Sequence, residues 1–257
     1  MSIQGIRLIV FDVGGVLRDA SRLVGEGYRR GMLAHGFTFP FEPMDVLHFR
    51  GLAKYNNPAT AAKGLIAIER SGVALPDILK RPDAEEEVDR IVAAHGKPSD
   101  DDTAKRIGMA YKELFESPEG STLVGQTRDA EKGITLLKGK GYKLGIFTNG
   151  ALNTISRDVP YHEKFDVFVS EQDITRKKPS GEGIVVAMEK AGATKSETAY
   201  VGDSVSDIQA ARDAGCSAFA VLCGYGLESH LVKEKPDAVF NNVIDLAERM
   251  PSIKNGA

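Results

Sequence analysis

Gly5-Ile6-Arg7-Leu8-Ile9-Val10-Phe11-Asp12-Val13-Gly14-Gly15-Val16-Leu17-Arg18-Asp19 is the stretch from which the rest of the chain is read. The apolar run from Ile6 to Phe11 stops at Asp12, and Gly14 and Gly15 follow almost at once. A short run rich in β-branched residues reads as a strand buried on both faces. A carboxylate at the carboxyl end of such a strand lies where open α/β sheets bind ligands. Gly14 and Gly15 let the backbone turn sharply and approach whatever Asp12 faces. Alone, the stretch is equally compatible with a solvated aspartate opening an ordinary loop. The later motifs decide between the two.

The chain has 257 residues, enough for a sizeable core in one large domain or two smaller ones. Hydrophobic residues make up 42% and charged residues 27%, the balance of a soluble globular protein. A net charge of −3 and a pI near 6.0 give no reason to expect nucleic acid or an anionic membrane as partner. The two cysteines, Cys216 and Cys223, offer neither a disulfide framework nor zinc spacing, which suits a reducing cytoplasm. Met1 to Gly5 is too short for a signal sequence, and no segment has the apolar length needed to span a bilayer.

From Ala20 to about Gly125 the pattern is helical. Helices are expected over Ser21–His35, Pro43–Phe49, Pro58–Ser71 and Asp83–His95, with Ser99 capping a further helix to Phe115 through the acidic run Asp100-Asp101-Asp102. From Gln126 on, helices and strands alternate. Strands are expected over Lys143–Thr148, Asp166–Ser170, Thr198–Gly202, Ala218–Leu222 and Ala238–Phe240. Helices are expected over Thr127–Lys140, from near Ala151, and over Ser180–Ala191 and Val205–Ala214. Such alternation implies right-handed βαβ units and a parallel sheet, an α/β fold of Rossmann-like type. The first strand joins a sheet built mostly from the second half. This gives a core of residues 1–19 and 125–257 and an inserted helical domain of residues 20–124, a natural lid over the site.

Three further stretches fall at strand ends: Gly145-Ile146-Phe147-Thr148-Asn149-Gly150, Arg176-Lys177-Lys178-Pro179, and Val201-Gly202-Asp203-Ser204-Val205-Ser206-Asp207. Each has an ordinary structural reading, as a turn, a solvated basic face or a pair of helix caps. Together with Asp12 they supply a nucleophilic carboxylate, a hydroxyl, an ammonium group and carboxylates for a hard cation. That inventory suits phosphoryl transfer, where catalysis is positioning plus neutralisation of developing charge.

These four stretches resemble, in order, the four motifs of the haloacid dehalogenase-like (HAD) superfamily, over residues 6–20 and 125–245. The resemblance implies a HAD core with a mostly α-helical cap inserted after the first motif. It implies Asp12 as the nucleophile that becomes an aspartyl phosphate. Thr148 would hydrogen-bond the phosphoryl group, and Lys178 would hold the nucleophile and phosphate oxygens. Asp12, Asp203, Asp207 and the backbone carbonyl of residue 14 would serve Mg²⁺, and Gly15 and Asn149 would line the phosphate. The family usually has a second aspartate, the general acid/base, where this chain has Gly14. Its loss removes a side-chain proton donor but not the carbonyl.

In the inserted segment, His48-Phe49-Arg50-Gly51-Leu52-Ala53-Lys54-Tyr55-Asn56 mixes cations, aromatics and amides around a glycine, so Arg50 and Lys54 are candidate substrate contacts. The expected function is Mg²⁺-dependent hydrolysis of a small phosphorylated metabolite, by a monomer or homodimer. Two alternatives stand beside it. Gly51-Leu52-Ala53-Lys54 resembles the cap segment of phosphonoacetaldehyde hydrolase, whose lysine forms a Schiff base during C–P bond cleavage. Gly14 also allows a catalytically weak HAD-fold binding protein.

Overall fold

In the computed structural model, residues 3–150 and 155–253 are described. The chain divides into two compact units, one holding the residues up to Asp19 and from Gly125 onward, the other Ala20–Val124.

The first unit is built on a six-stranded parallel sheet of β1 (Leu8–Phe11), β4 (Lys143–Phe147), β5 (Val167–Val169), β6 (Thr198–Gly202), β7 (Ser217–Val221) and β8 (Ala238–Phe240), in the order β5-β4-β1-β6-β7-β8. The two remaining strands, β2 (Arg18–Asp19) and β3 (Gly125–Gln126), form an antiparallel ribbon where the chain leaves and re-enters the unit. The fold is therefore α/β, as the alternation predicts. β1 is apolar throughout because both its faces are covered. Ile9 and Phe11 pack with Ile134, Leu137, Val243 and Leu246, and Leu8 and Val10 pack with Ile184, Ala187, Ile208 and Ala211. That division follows the two-residue period of a strand. Burying each such side chain contributes about 1.5–3 kcal/mol.

The helices behind those residues are α8 (Ala130–Gly139) and α13 (Val243–Arg249) on one layer, and α10 (Glu182–Ala191) and α11 (Val205–Ala214) on the other. Short helices α9 (Ile155–Asp158) and α12 (Glu228–Lys233) complete the unit. The helix expected from near Ala151 begins outside the described residues. α8 starts at Ala130 rather than Thr127, because Thr127 is tied back to the first loop: its N–H donates to Leu17 O at 3.2 Å and its hydroxyl to Val16 O.

Register assembles the strand ends. Phe11 is level with Ile146 of β4 and Val201 of β6. Asp12 therefore leaves the sheet beside Phe147 and Gly202, one residue short of Thr148 and Asp203. Its N–H still donates to Val201 O at 2.9 Å.

The second unit comprises α1 (Ser21–Ala34), α2 (Pro43–Arg50), α3 (Pro58–Ser71), α4 (Leu75–Leu79), α5 (Ala84–His95), α6 (Asp100–Glu116) and α7 (Pro118–Thr122). The bounds of α3 are set by local chemistry. The Asn57 side chain accepts from Ala59 N and Thr60 N, Pro58 opens the first turn, and Gly72 closes the helix at φ 70°. α6 departs from expectation at its start. Ser99 makes no side-chain cap, and Asp100 instead accepts from Lys97 N at 2.7 Å and Arg70 Nη2 at 2.7 Å. An acidic side chain with two such donors serves the helix start better than the serine hydroxyl. Leu33, in the last turn of α1, is 48% exposed.

Candidate active site

Asp12 ends β1, Lys178 comes from the loop before α10, and Asp203 and Asp207 flank the junction of β6 with α11. Lys178 Nζ donates to Asp12 Oδ1 at 2.6 Å, to Asp207 Oδ1 at 2.7 Å and to the Tyr200 hydroxyl at 3.1 Å. All of these groups are buried; the Lys178 side chain is 6% exposed. One carboxylate oxygen from each of Asp12, Asp203 and Asp207 lies within 4.8 Å of the others.

Each position has a local cause. Asp207 is the third residue of α11, and its Oδ2 accepts from Ser204 N at 3.0 Å and Ser204 Oγ at 2.6 Å. The capping box holds one oxygen and turns the other toward Lys178. Asp203 accepts the Tyr225 N–H through Oδ2. It sits between two glycines: a Cβ at Gly15 would lie 2.1 Å from that oxygen, and one at Gly224 would lie 2.0 Å from it. Gly15 also has φ +78°, so it is required twice over. Asn149 orients the lysine loop by accepting Lys178 N at 3.0 Å on its Oδ1. Thr148 presents its hydroxyl at the end of β4, where it accepts Gly150 N at 3.1 Å.

Burial raises the Asp12 carboxyl above its usual range. Lys178 opposes that shift and Asp207 adds to it. Asp203 is held well above the carboxylate range by burial, then by Asp207 and Asp12. For Lys178 burial pulls downward, but the Asp12 and Asp207 charges outweigh it and hold the ammonium well above its ordinary value. Three buried carboxylates thus share a single ammonium. The charge left over is what a hard, oxygen-seeking dication balances. The donor set fits Mg²⁺: carboxylates of Asp12 and Asp203, with Asp207 beside them and the half-buried Gly14 offering only its backbone carbonyl.

Reasoning from sequence missed Tyr200, Gly224 and Tyr225. The only signal for the last two was the glycine pair around a tyrosine, Gly224-Tyr225-Gly226, just past β7. Arg50 and Lys54 belong to the helical unit, where each is engaged. Arg50 Nη1 donates to the Tyr28 hydroxyl at 2.8 Å, Nη2 donates to Asn56 O, and the guanidinium stacks over Tyr111, 5.2 Å from the ring centroid. Lys54 is 55% exposed and ion-paired with Asp89. That setting differs from the desolvated one that activates a Schiff-base lysine.

A family model described as haloacid dehalogenase-like hydrolase matches residues 6–215. The chain is a haloacid dehalogenase-like hydrolase. Among curated HAD relatives, the phosphoglycolate phosphatase of Escherichia coli (strain K12) is 28% identical over 255 residues, covering 95% of this chain and 92% of its own length. That of Salmonella paratyphi A is 26% identical over 256 residues, with the same coverage of 95% and 92%. Among solved structures, a haloacid dehalogenase-like family hydrolase from Streptococcus pneumoniae superposes with a TM-score of 0.59 at 17% identity, over 95% of this chain and 98% of its own. At that identity the likeness bears on the HAD fold alone. Among the described residues no helix is long and apolar enough to cross a membrane.

Proposed function

We propose that this hydrolase is a cytoplasmic, Mg²⁺-dependent phosphatase that cleaves the phosphomonoester of a small metabolite through an aspartyl phosphate on Asp12. The observation that carries the reading is the Asp12–Lys178–Asp207 contact beside Asp203, a buried nucleophilic carboxylate already held by the cation that would meet the phosphoryl oxygens. Asp12 attacks phosphorus, the ester oxygen departs, and water later hydrolyses the acyl phosphate. The Thr148 hydroxyl and the Lys178 ammonium hold the phosphoryl oxygens, and Asn149 and Asp207 keep Lys178 in place. Mg²⁺, when bound by Asp12, Asp203 and the Gly14 carbonyl with Asp207 in support, neutralises phosphoryl charge. Residues 20–124 are read as the substrate-selecting cap, with Arg50 and Lys54 as its candidate contacts.

Two curated relatives are named phosphoglycolate phosphatases, so 2-phosphoglycolate goes first in a panel of phosphate esters. The test is release of inorganic phosphate from the panel and from one activated aryl phosphate, with and without Mg²⁺, using Asp12→Asn as control. Mg²⁺-dependent turnover lost in the mutant supports the reading. No turnover of any ester by folded protein overturns it. C–P cleavage through Lys54 is not favoured, since that lysine is an exposed partner of Asp89.

A further inference from the structure

The space beside Gly14, where a side chain would project, is furnished. A Cβ at Gly14 would meet Arg18 Nη2 and Tyr225 Cε2, each at 3.6 Å, which is ordinary contact. The loop after β1 brings Arg18 there by folding back on itself: Gly15 N donates to Arg18 O at 2.8 Å and Arg18 N to Val13 O at 2.9 Å. One end of the guanidinium is anchored, since Nη1 donates to Asp158 Oδ2 at 2.8 Å. Asp158 is itself buried, and Arg157 Nε also serves it at 2.6 Å. The Arg18 Nε atom is buried and has no hydrogen-bond partner among the described residues. Orphaned buried donors are rare enough in proteins to call for a reason.

A guanidinium with donor capacity to spare, six residues past Asp12 in the chain, therefore stands within the reach of an aspartate side chain at position 14. A carboxylic acid placed there could not act as a proton donor, because the adjacent cation would keep it ionised. Protonating the departing oxygen and holding it as an anion are alternative ways to ease its departure, and this site is built for the second. We propose that Arg18 is a catalytic residue that receives the departing oxygen of the ester as an anion on its guanidinium N–H groups. The proposal rests on the phosphatase reading above. As the Asp12 Oδ–P bond forms, the P–O bond to the leaving group breaks and its electron pair passes to the leaving oxygen. That oxygen stays anionic against Arg18 and takes a proton from water on release. Arg18 supplies charge and hydrogen bonds but no proton. The site therefore favours leaving groups that are stable as anions, so acyl, enol and aryl phosphates are turned over in preference to simple alkyl esters.

The test is a series of substituted aryl phosphates plus one alkyl phosphate, with kcat/KM plotted against leaving-group acidity for wild type, Arg18→Gln, Arg18→Lys and Gly14→Asp. Loss of one donor to a developing oxyanion costs about 10²–10³-fold. Arg18→Gln is expected to lose that much on the poorest leaving groups and far less on the most acidic phenol, so the dependence steepens. Arg18→Lys, which keeps the Asp158 partner and the charge, should fall between. Gly14→Asp sets its Cβ in ordinary contact and should not rescue the alkyl ester. A uniform loss confined to KM across the series assigns Arg18 to phosphate binding and overturns the proposal. So does a rise in alkyl-ester turnover in Gly14→Asp toward the ~10²–10⁴-fold that a positioned acid supplies. Failure of wild type to hydrolyse any member overturns the phosphatase reading itself, which separates the two failures.

Discussion

Replacing Lys178 with methionine removes the ammonium that Asp12 and Asp207 share and keeps a side chain of similar length. The lysine side chain is 6% exposed and that of Asp207 2%, so water cannot screen what is left behind. Removing one partner of a buried ion pair costs about 3–5 kcal/mol. At roughly 2–4 °C per kcal/mol for a chain of this size, the thermal midpoint should fall by about 10 °C. The loss should also depend on pH, with a definite sign. Burial already holds Asp12 above its ordinary range, and Lys178 is the largest opposing influence. Without it the folded-state value climbs further. A carboxyl whose folded pKa is raised keeps its proton where the unfolded chain has lost it, so stability falls as pH rises through the interval between the two values. The deficit of Lys178→Met should be largest at about pH 8 and shrink as pH falls toward about 5. The assay is thermal unfolding followed by circular dichroism in chelator, on both proteins across that range. A deficit below about 1 kcal/mol, the size expected of a surface pair, would refute the claim that this ion pair is buried and unscreened. A deficit that grows as pH falls would refute the sign.

Gly15→Ala forces φ +78° on a residue with a Cβ and drives that atom to 2.1 Å from Asp203 Oδ2. The left-handed backbone alone costs about 1–2 kcal/mol, so both the unfolding midpoint and Mg²⁺-dependent phosphate release should drop; an unchanged midpoint contradicts the geometry. In the helical unit, Arg70→Met strips the guanidinium from Asp100, whose side chain is 3% exposed, and should destabilise by about 1.5–3 kcal/mol. The hydrogen bond from Arg70 is the main cause of the lowered Asp100 pKa. That stabilisation is present above the ordinary carboxylate range and lost as pH falls through the lowered value, so wild-type and variant stabilities should converge below about pH 4. Burial pushes the thiols of Cys216 and Cys223 up to about 12. Neither should react quickly with a thiol reagent at neutral pH until the protein is unfolded, and fast labelling of the native chain would show one to be accessible.

Much of the core and of the proposed site could be read without coordinates. Continuous apolar runs such as Leu8–Phe11 and Thr198–Gly202 mark strands covered on both faces, and the alternation after Gln126 marks a parallel sheet. Asp12 and Asp203 followed from their places at strand ends, because in such a sheet those ends converge. Lys178, expected at a strand end too, instead lies in the loop before α10, well past β5, and its place in the site was implied only by the resemblance of its stretch to a family motif. The bounds of α3 were legible for a different reason: Asn57, Pro58 and Gly72 act on backbone groups within a few residues of themselves.

What only the tertiary structure decided depends on contacts between residues far apart in the chain. The ribbon of β2 with β3 consists of two-residue strands whose pairing joins Arg18 to Gln126, and no periodicity can announce it. Tyr200 reads as one more apolar strand residue until the Lys178 ammonium is found 3.1 Å from its hydroxyl. Ser99 read as the cap of α6, but its hydroxyl caps nothing, and Asp100 takes Lys97 N and the Arg70 guanidinium arriving from α3 instead. Gly14 shows the division most sharply. From sequence it was only an acid that is missing. The fold places Arg18 Nη2 and the Tyr225 ring where that side chain would point, because a loop turn and a residue more than 200 positions away close on the same few ångströms. Composition and local pattern determine which groups are available and which segments are buried. Which groups touch is decided by strand register and packing, through forces that act across space rather than along the chain.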